Sequence, residues 1–207
     1  MSSSVRARRI ENEWQYLLLL ARENPSILEI RSRRSEPTAE CFDFSLARTP
    51  AYAGPQLTEN IRDTHELTLR LPEFYPAVPC EAYLRAPLFH PNIHPLNGFI
   101  CLWDRFSVGD SVIEAVRQIQ LVISWHLFNS AAEHLMQPEA LASAAERKPL
   151  PYQPVLVPES LALERSYCGK PATPRRSRLS CWSEPQPSPA ASEQVLERTG
   201  IFRERSS

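Results

Sequence analysis

Side chains able to act as nucleophiles, acids, bases or metal ligands are concentrated in one short stretch of this 207-residue chain. His90, Asn92, His94 and Cys101 fall within 12 residues. The surrounding segment 87–106 contains three prolines and one glycine and shows no sustained hydrophobic period. An irregular segment of about 20 residues inside a compact domain is more often functional than not. The sequence therefore predicts a functional site on this segment.

These residue types are compatible with three interpretations. Imidazole and thiolate bind transition metals, so His90, His94 and Cys101 could form part of a metal site, although the chain has no CxxC pair and a fourth ligand must come from elsewhere. Cys101 could instead be the nucleophile of a cysteine hydrolase, with His126 or His134 as its base. In the third interpretation, Cys101 is a small buried apolar residue without chemistry.

The overall composition is that of a globular protein, with 43% hydrophobic and 23% charged residues. The chain has 23 basic and 24 acidic residues, and this balance disfavours nucleic acid or an anionic membrane as a partner. No apolar run approaches the roughly 20 residues of a membrane span. Five cysteines, an odd number without a CxxC pair, indicate a reducing and hence cytoplasmic environment.

The first half of the chain is predicted to form an amphipathic helix followed by strands. Apolar residues spaced near 3.6 residues indicate a helix over 4–23, with Val5 on its apolar stripe, Glu13 outside that stripe, and Asn24-Pro25 at its end. Four later runs alternate apolar and polar side chains, which is typical of an antiparallel sheet covered on one face. These runs lie at 27–31, 41–46, 66–71 and 81–85.

Two further helices complete the predicted domain. Apolar spacing indicates a helix over 111–127, and Gln137-Pro138-Glu139 opens a last helix that runs to about residue 147. The stretch 47–63 is predicted to be a loop or an extended hairpin. The order of one helix, a four-stranded antiparallel meander, an irregular segment and C-terminal helices defines an α+β domain over 1–148.

The rest of the chain, 149–207, is predicted to be a proline-rich tail. Proline lacks a backbone donor and has a fixed φ angle, and helices and central strands cannot accommodate prolines at this density. Most of the tail is therefore expected to be irregular. Val155 and Leu156 are apolar enough to pack back onto the domain. A short helical candidate over 192–205 has apolar residues suited to docking on a partner.

The segment 71–104 resembles the core of a ubiquitin-conjugating enzyme. It contains Tyr-Pro and a further proline within 75–79, His-Pro-Asn at 90–92, and Gly-Phe-Ile-Cys-Leu at 98–102. These elements follow the family's order, and the resemblance extends over about 5–147. The resemblance implies a UBC-like fold with an active-site loop. It also implies that the chain is a divergent bacterial member of the family.

The resemblance also implies a role for each residue of the site. Cys101 is the position that carries a ubiquitin-like modifier as a thioester. Asn92 either stabilises the oxyanion of the reaction or holds the active-site loop in shape. Glu133 and His134 lie where the family often has an acidic residue that helps to deprotonate the incoming lysine, and either could receive the proton. A structural role in the loop is implied for His90, Pro91 and Gly98.

The partners implied by the resemblance are proteins. An activating enzyme is expected to charge Cys101 and to contact the basic residues Arg6, Arg8 and Arg9, and the modifier is then passed to an amine of a protein substrate. No metal or cofactor is required. Several bacterial relatives act in antiviral conjugation systems, which is the setting implied here. Two alternatives stay open, a non-catalytic binding module of the same fold and a cysteine hydrolase.

Overall fold

An N-terminal helix and an antiparallel sheet form the described part of the chain, which in this computed structural model comprises residues 4–55, 60–159 and 161 together with the backbone of 180–181. Helix α1 spans Val5–Glu23, α2 spans Val112–Ile123 and α3 spans Pro138–Ala142. The strands are β1 (Leu28–Glu36), β2 (Ala39–Leu46), β3 (Ala51–Tyr52), β4 (Ile61–Arg62), β5 (His65–Pro72), β6 (Glu81–Leu84), β7 (Phe99–Ile100), β8 (Leu127–Phe128) and β9 (Ser180–Cys181). The predicted α+β class is confirmed.

The main sheet is antiparallel, and its strands lie in the order β1-β2-β5-β6-β7. The prediction of four strands was therefore incomplete, because the sheet has five. The two-residue β7 pairs Ala82 with Ile100 and Tyr83 with Phe99, and it is too short to show an alternating pattern in sequence. The pairing places Cys101 immediately after the edge strand of the sheet. Strands β3 and β4 pair within the stretch 47–63, which is thus an extended hairpin.

Ser4 is the N-cap of helix α1, and its hydroxyl accepts a hydrogen bond from the backbone N–H of Ala7. Its buried face differs in two places from the predicted stripe. Val5 is 76% exposed, whereas Glu13 is completely buried. The Glu13 carboxylate accepts the Tyr75 hydroxyl at 2.7 Å and the backbone N–H of Val112 at 2.9 Å. Its burial is therefore explained by polar partners from two other segments.

An ion pair completes the surroundings of this carboxylate. Arg9 Nε lies 2.6 Å from Glu13 Oε1, one helical turn away. Burial raises the pKa of Glu13, and the contacts with Val112, Arg9 and Tyr75 oppose that rise. Because Val112 is the first residue of α2, Glu13 satisfies one of the backbone donors that a helix leaves free at its N-terminus. The network thus fastens α1, the turn after β5 and the start of α2 to one another.

Helix α2 is the central helix of the domain. Ser111 and Glu114 form a reciprocal capping box at its start, and its apolar stripe is buried as predicted. The helix ends at Ile123, earlier than the predicted residue 127, because Trp125 has a left-handed φ of 63°. The last helix, α3, is also shorter than predicted. Turns follow it, so the predicted end at about residue 147 lies outside the helix. The side chain of Arg147 is buried and donates to the carbonyl oxygens of Gly54 and Pro55.

The first residues of the predicted tail pack against the domain. Val155 is buried in the main core, and its N–H donates to Gln120 Oε1 at 3.0 Å. Leu156 keeps its side chain 67% exposed, while its backbone makes two hydrogen bonds with the Asn24 amide. The domain boundary at residue 148 stays a prediction, and the helical candidate over 192–205 lies outside the described residues. No helix in the described part is long and apolar enough to cross a membrane.

Candidate functional site

Cys101 is half-buried at the end of β7, and a histidine side chain contacts it. Its backbone N–H donates to the Asn92 carbonyl at 2.9 Å, which fixes the residue against the preceding loop. The Cys101 Sγ lies 3.0 Å from Nδ1 of His134. Burial raises the pKa of the Cys101 thiol, the backbone of Trp103 opposes that rise, and the charge of Asp104 adds to it. A thiol paired with an imidazole in this way can lose its proton to the ring as it attacks an electrophile.

The other two cysteines with described side chains are sequestered. Cys41 is 1% exposed and Cys80 is 3% exposed. Burial raises the pKa of Cys41 to about 11 and that of Cys80 to about 12. Thiols that are buried and remain protonated are poor nucleophiles. Within the described residues, Cys101 is therefore the cysteine suited to reaction with a large substrate.

The structure brings His134, but not Glu133, to the cysteine sulfur. His134 ends a short 3₁₀ helix, Ala132–His134, and its ring contacts a residue 33 positions earlier in the chain. The Glu133 side chain is exposed and has no recorded hydrogen bond or ion pair. His126, the other histidine considered as a base, uses Nε2 to bond with the Leu150 carbonyl oxygen. The contact that resembles a catalytic pair is thus that of His134 with Cys101.

The side-chain amide of Asn92 connects the loop before Cys101 to the segment that contains Asn129 and His134. Its Nδ2 donates to the Asn129 carbonyl at 2.7 Å and to the His134 carbonyl at 2.9 Å, while its Oδ1 accepts the Asn129 N–H at 2.6 Å. Both hydrogens of the amide are therefore engaged, although a role as an oxyanion donor would need one of them. Of the two roles implied for Asn92, these contacts support the one in which it holds the loop.

Asn129 is a residue of the site that the sequence analysis missed. It is buried, its Oδ1 accepts the Ala131 N–H at 2.9 Å, and its Nδ2 lies 3.4 Å from Asp104 Oδ1. Together with its two backbone bonds to Asn92, these contacts connect the 3₁₀ helix to the segment after Cys101. Its position outside any motif gave no sequence signal.

His90 and Pro91 hold the loop before Cys101 through buried side-chain and backbone contacts. His90 is fully buried, its Nδ1 accepts the Asn92 N–H at 3.1 Å, and its ring meets that of Trp125 edge to face. Burial lowers the pKa of His90 to about 3, so the ring is neutral at pH 7. The Pro91 carbonyl accepts the backbone N–H groups of Met136 and Gln137. Among the described residues, no group of three or more His, Cys, Asp or Glu side chains could hold a metal ion.

Gly98 occupies a backbone position that no other residue fits. Its φ is +71°, and a Cβ atom there would lie 2.0 Å from the carbonyl oxygen of Leu84. The Leu84 N–H in turn donates to the Gly98 carbonyl at 2.8 Å. The glycine therefore allows the loop to approach the end of β6 just before Cys101.

Replacing Gly98 with alanine is expected to lower the free energy of unfolding by about 2–4 kcal/mol, from the left-handed φ together with the overlap with Leu84. Urea denaturation at pH 7 measures this loss. Gly109→Ala is the matched control, because a Cβ there would meet only Ser107 Oγ, at 3.8 Å. Equal losses in the two variants would contradict the role of the close backbone approach.

The arginines predicted to bind a partner differ in how free they are. Arg6 Nη2 donates to the Pro72 carbonyl at 3.2 Å. Arg9 is paired with Glu13 and also donates to the Asp110 carbonyl at 3.0 Å. Arg8 is exposed and has no recorded contact. The contacts of Arg6 and Arg9 are those of structural residues, which leaves Arg8 as the freely accessible guanidinium of the three.

No family model matches the chain, and no match is found among curated proteins. Among solved structures, the chain is similar to one described as "Ubiquitin conjugating enzyme (putative) from Trypanosoma cruzi", with 18% sequence identity and a TM-score of 0.44. The similarity covers 69% of this chain and 89% of that chain. A likeness at this level of identity and TM-score carries no argument about function.

Proposed function

We propose that this chain is an acyl transferase of the ubiquitin-conjugating type, with a UBC-like fold. In this proposal Cys101 carries a ubiquitin-like modifier as a thioester and passes it to an amine of a protein substrate. The observation that carries the proposal is the distance of 3.0 Å between Cys101 Sγ and His134 Nδ1, at the end of the edge strand β7. A half-exposed thiol on a rigid scaffold, beside a proton acceptor, suits this chemistry.

Each remaining residue of the site has a role in this proposal. His134 receives the proton of the incoming nucleophile, because its ring lies at the sulfur that would bear the acyl group. Asn92 is a positioning residue, since its amide holds the backbone at Asn129 and His134. His90, Pro91 and Gly98 give the loop its shape. The reaction needs a thiol and a base, and it proceeds without a cofactor.

The partners in the proposal come from the resemblance in sequence. They are a ubiquitin-like modifier, an activating enzyme that charges Cys101, and a protein substrate, in a bacterial antiviral system in the cytoplasm. The exposed Arg8 is the arginine of α1 best placed to contact the activating enzyme, because its guanidinium makes no recorded contact within the described chain. Charge complementarity of this kind accelerates association more than it strengthens binding.

The second candidate function is that of a cysteine hydrolase, and the same contact between Cys101 and His134 favours it. A hydrolase would pass the acyl group to water, whereas a transferase retains it until an acceptor arrives. The third possibility, a non-catalytic binding module, would leave the cysteine without any reactivity beyond that of an ordinary thiol. The three functions therefore differ in the lifetime and the products of an acyl group on Cys101.

Thioester exchange on the full-length chain tests the proposal without a known activating enzyme. The protein is incubated with a fluorescent glycyl thioester of mercaptoethanesulfonate, desalted, and mapped by peptide mass. We expect an acyl group on Cys101 that free thiol removes. We also expect its transfer to Nα-acetyllysine amide to be at least about tenfold faster than transfer from N-acetylcysteine amide bearing the same acyl group, because the site adds positioning of the thioester to proton acceptance by His134.

The remaining outcomes of this experiment contradict the proposal. Rapid release of the free acid, with no transfer to lysine, would assign the chain to the hydrolases. Transfer no faster than from the model thioester would favour the binding module. An acyl group found only on a cysteine other than Cys101 would show that the site described here is not the reactive one.

A further inference from the structure

The imidazole of His134 is placed to act on more than one class of acceptor. When an acyl group is bound to Cys101 Sγ, its carbonyl carbon is one bond from the sulfur that Nδ1 of His134 now contacts at 3.0 Å. A nucleophile that attacks this carbon must bring its proton close to the ring. No hydrogen bond to Nε2 of His134 is recorded in the described part of the chain, so the ring is held through Nδ1.

The side chain in contact with the sulfur is the imidazole of His134, and the carboxylate whose charge reaches the thiol is that of Asp104. Glu133 is exposed and makes no recorded contact, and Asp104 Oδ1 faces the Asn129 amide at 3.4 Å. A carboxylate at the position of His134 would attract the ammonium of lysine, whose pKa is about 10.4, whereas an imidazole carries no negative charge. Removal of a proton from an uncharged nucleophile is a usual task of an imidazole that lies at the reacting atom.

An alcohol hydroxyl is an uncharged nucleophile of this kind. A hydroxyl is a weak nucleophile unless an adjacent base removes its proton as it attacks, whereas the free form of an amine depends less on such a base. We propose that the acyl group on Cys101 is passed to hydroxyl groups as well as to amines, with His134 as the general base. This inference rests on the proposed function, because it requires the thioester on Cys101.

The transfer is balanced without any further reactant. The hydroxyl oxygen attacks the acyl carbon and forms the new C–O bond, while its proton moves to His134 Nδ1. The C–S bond then breaks, its electron pair stays on Cys101 Sγ, and the thiolate recovers the proton from His134. The products are an ester and the free thiol, and nothing is oxidised or reduced.

The test begins from the desalted full-length chain charged on Cys101 with the fluorescent glycyl group. One portion receives N-acetylserine amide and another receives Nα-acetyllysine amide, both at pH 8.5, and the ester, amide and free acid are quantified by mass. In the unchanged chain we expect the ester to form. His134→Ala is expected to lower the rate of ester formation about 100-fold or more, and the rate of amide formation less than tenfold.

Two further variants control for misfolding and for nonspecific effects of a substitution near the site. His134→Gln keeps a polar side chain of similar size without a basic nitrogen, so it should lose ester formation to the same extent even if the alanine variant misfolds. Arg105→Gln is the control, since Arg105 is exposed on the segment after Cys101 and has no recorded contact, and both rates should stay within twofold of the unchanged chain.

Three outcomes overturn the inference. One is a charged chain that yields amide but no ester, and another is an equal loss of both rates in the two His134 variants. The third is release of the free acid as the only reaction with an oxygen nucleophile, which would indicate hydrolysis. A chain that cannot be charged on Cys101 would instead overturn the proposed function, and that failure is visible before any acceptor is added.

Discussion

Cys101→Ala is expected to abolish formation of the thiol-sensitive acyl adduct, because the other described cysteines are buried and remain protonated. Cys101→Ser should acylate at least about 100-fold more slowly, since a hydroxyl ionises far less readily than a thiol. Any adduct that it forms is an oxyester and should survive treatment with thiol. The measurement is a non-reducing gel of the fluorescent adduct, before and after incubation with thiol.

The control for this prediction is a second cysteine substitution. Cys41→Ala removes a thiol that is 1% exposed, so it should leave the amount of adduct within twofold of that on the unchanged chain. Its expected cost is in stability, through a small cavity in the core. If the adduct persisted at its full level in Cys101→Ala, the reactive thiol would lie elsewhere in the chain and the proposed site would be wrong.

Glu13→Ala is expected to destabilise the fold by about 3–5 kcal/mol, the range found when one partner of a buried ion pair is removed. The substitution leaves the Arg9 guanidinium without its carboxylate and removes acceptors from the Tyr75 hydroxyl and the Val112 N–H. Helix α2 would lose one of the groups that satisfy its N-terminus. Urea denaturation at pH 7 gives the difference in the free energy of unfolding.

Glu11→Ala is the matched control for this substitution. Glu11 lies on the same helix and pairs with Arg33 at 2.7 Å, but its side chain is 52% exposed. Exposed ion pairs contribute little to stability, so this variant should be nearly as stable as the unchanged chain. Glu13→Gln, which keeps the size and can still accept hydrogen bonds, should fall between the two. Similar losses for Glu11→Ala and Glu13→Ala would show that the buried network is unimportant.

The elements that hydrophobic periodicity could reveal were predicted well. The stripe of α2 is buried along its whole length, and the alternation of β5 is matched by alternating burial from His65 to Leu71. Periodicity needs several residues to appear, so it missed the two-residue β7, which is defined by its pairing with β6 and by the bridge between Ile100 and Ile93. It also assigned Glu13 to the polar side of α1, because a carboxylate satisfied by distant partners has no local signature.

The site was predicted in part for a similar reason. The motif and its spacing pointed to Cys101, Asn92 and the glycine before the cysteine. They left Glu133 and His134 as equal candidates, because two adjacent residues are distinguished only by the direction of their side chains. Asn129 had no motif to mark it, and its role depends on contacts with Asn92 and Asp104 from other parts of the chain.

The groups that hold the 3₁₀ helix of His134 against the loop of Cys101 are mostly uncharged. Asn92 binds one side, and on the other the Gln137 amide donates to the carbonyl oxygens of Leu88 and Ile93, at 2.8 Å and 2.7 Å. Amides do not gain or lose protons between pH 5 and 9, and salt does not screen their hydrogen bonds as it screens ion pairs. The distance between the reacting sulfur and nitrogen should therefore be insensitive to buffer conditions. A change in rate with pH would then reflect the chemistry at the sulfur and not a movement of the loop.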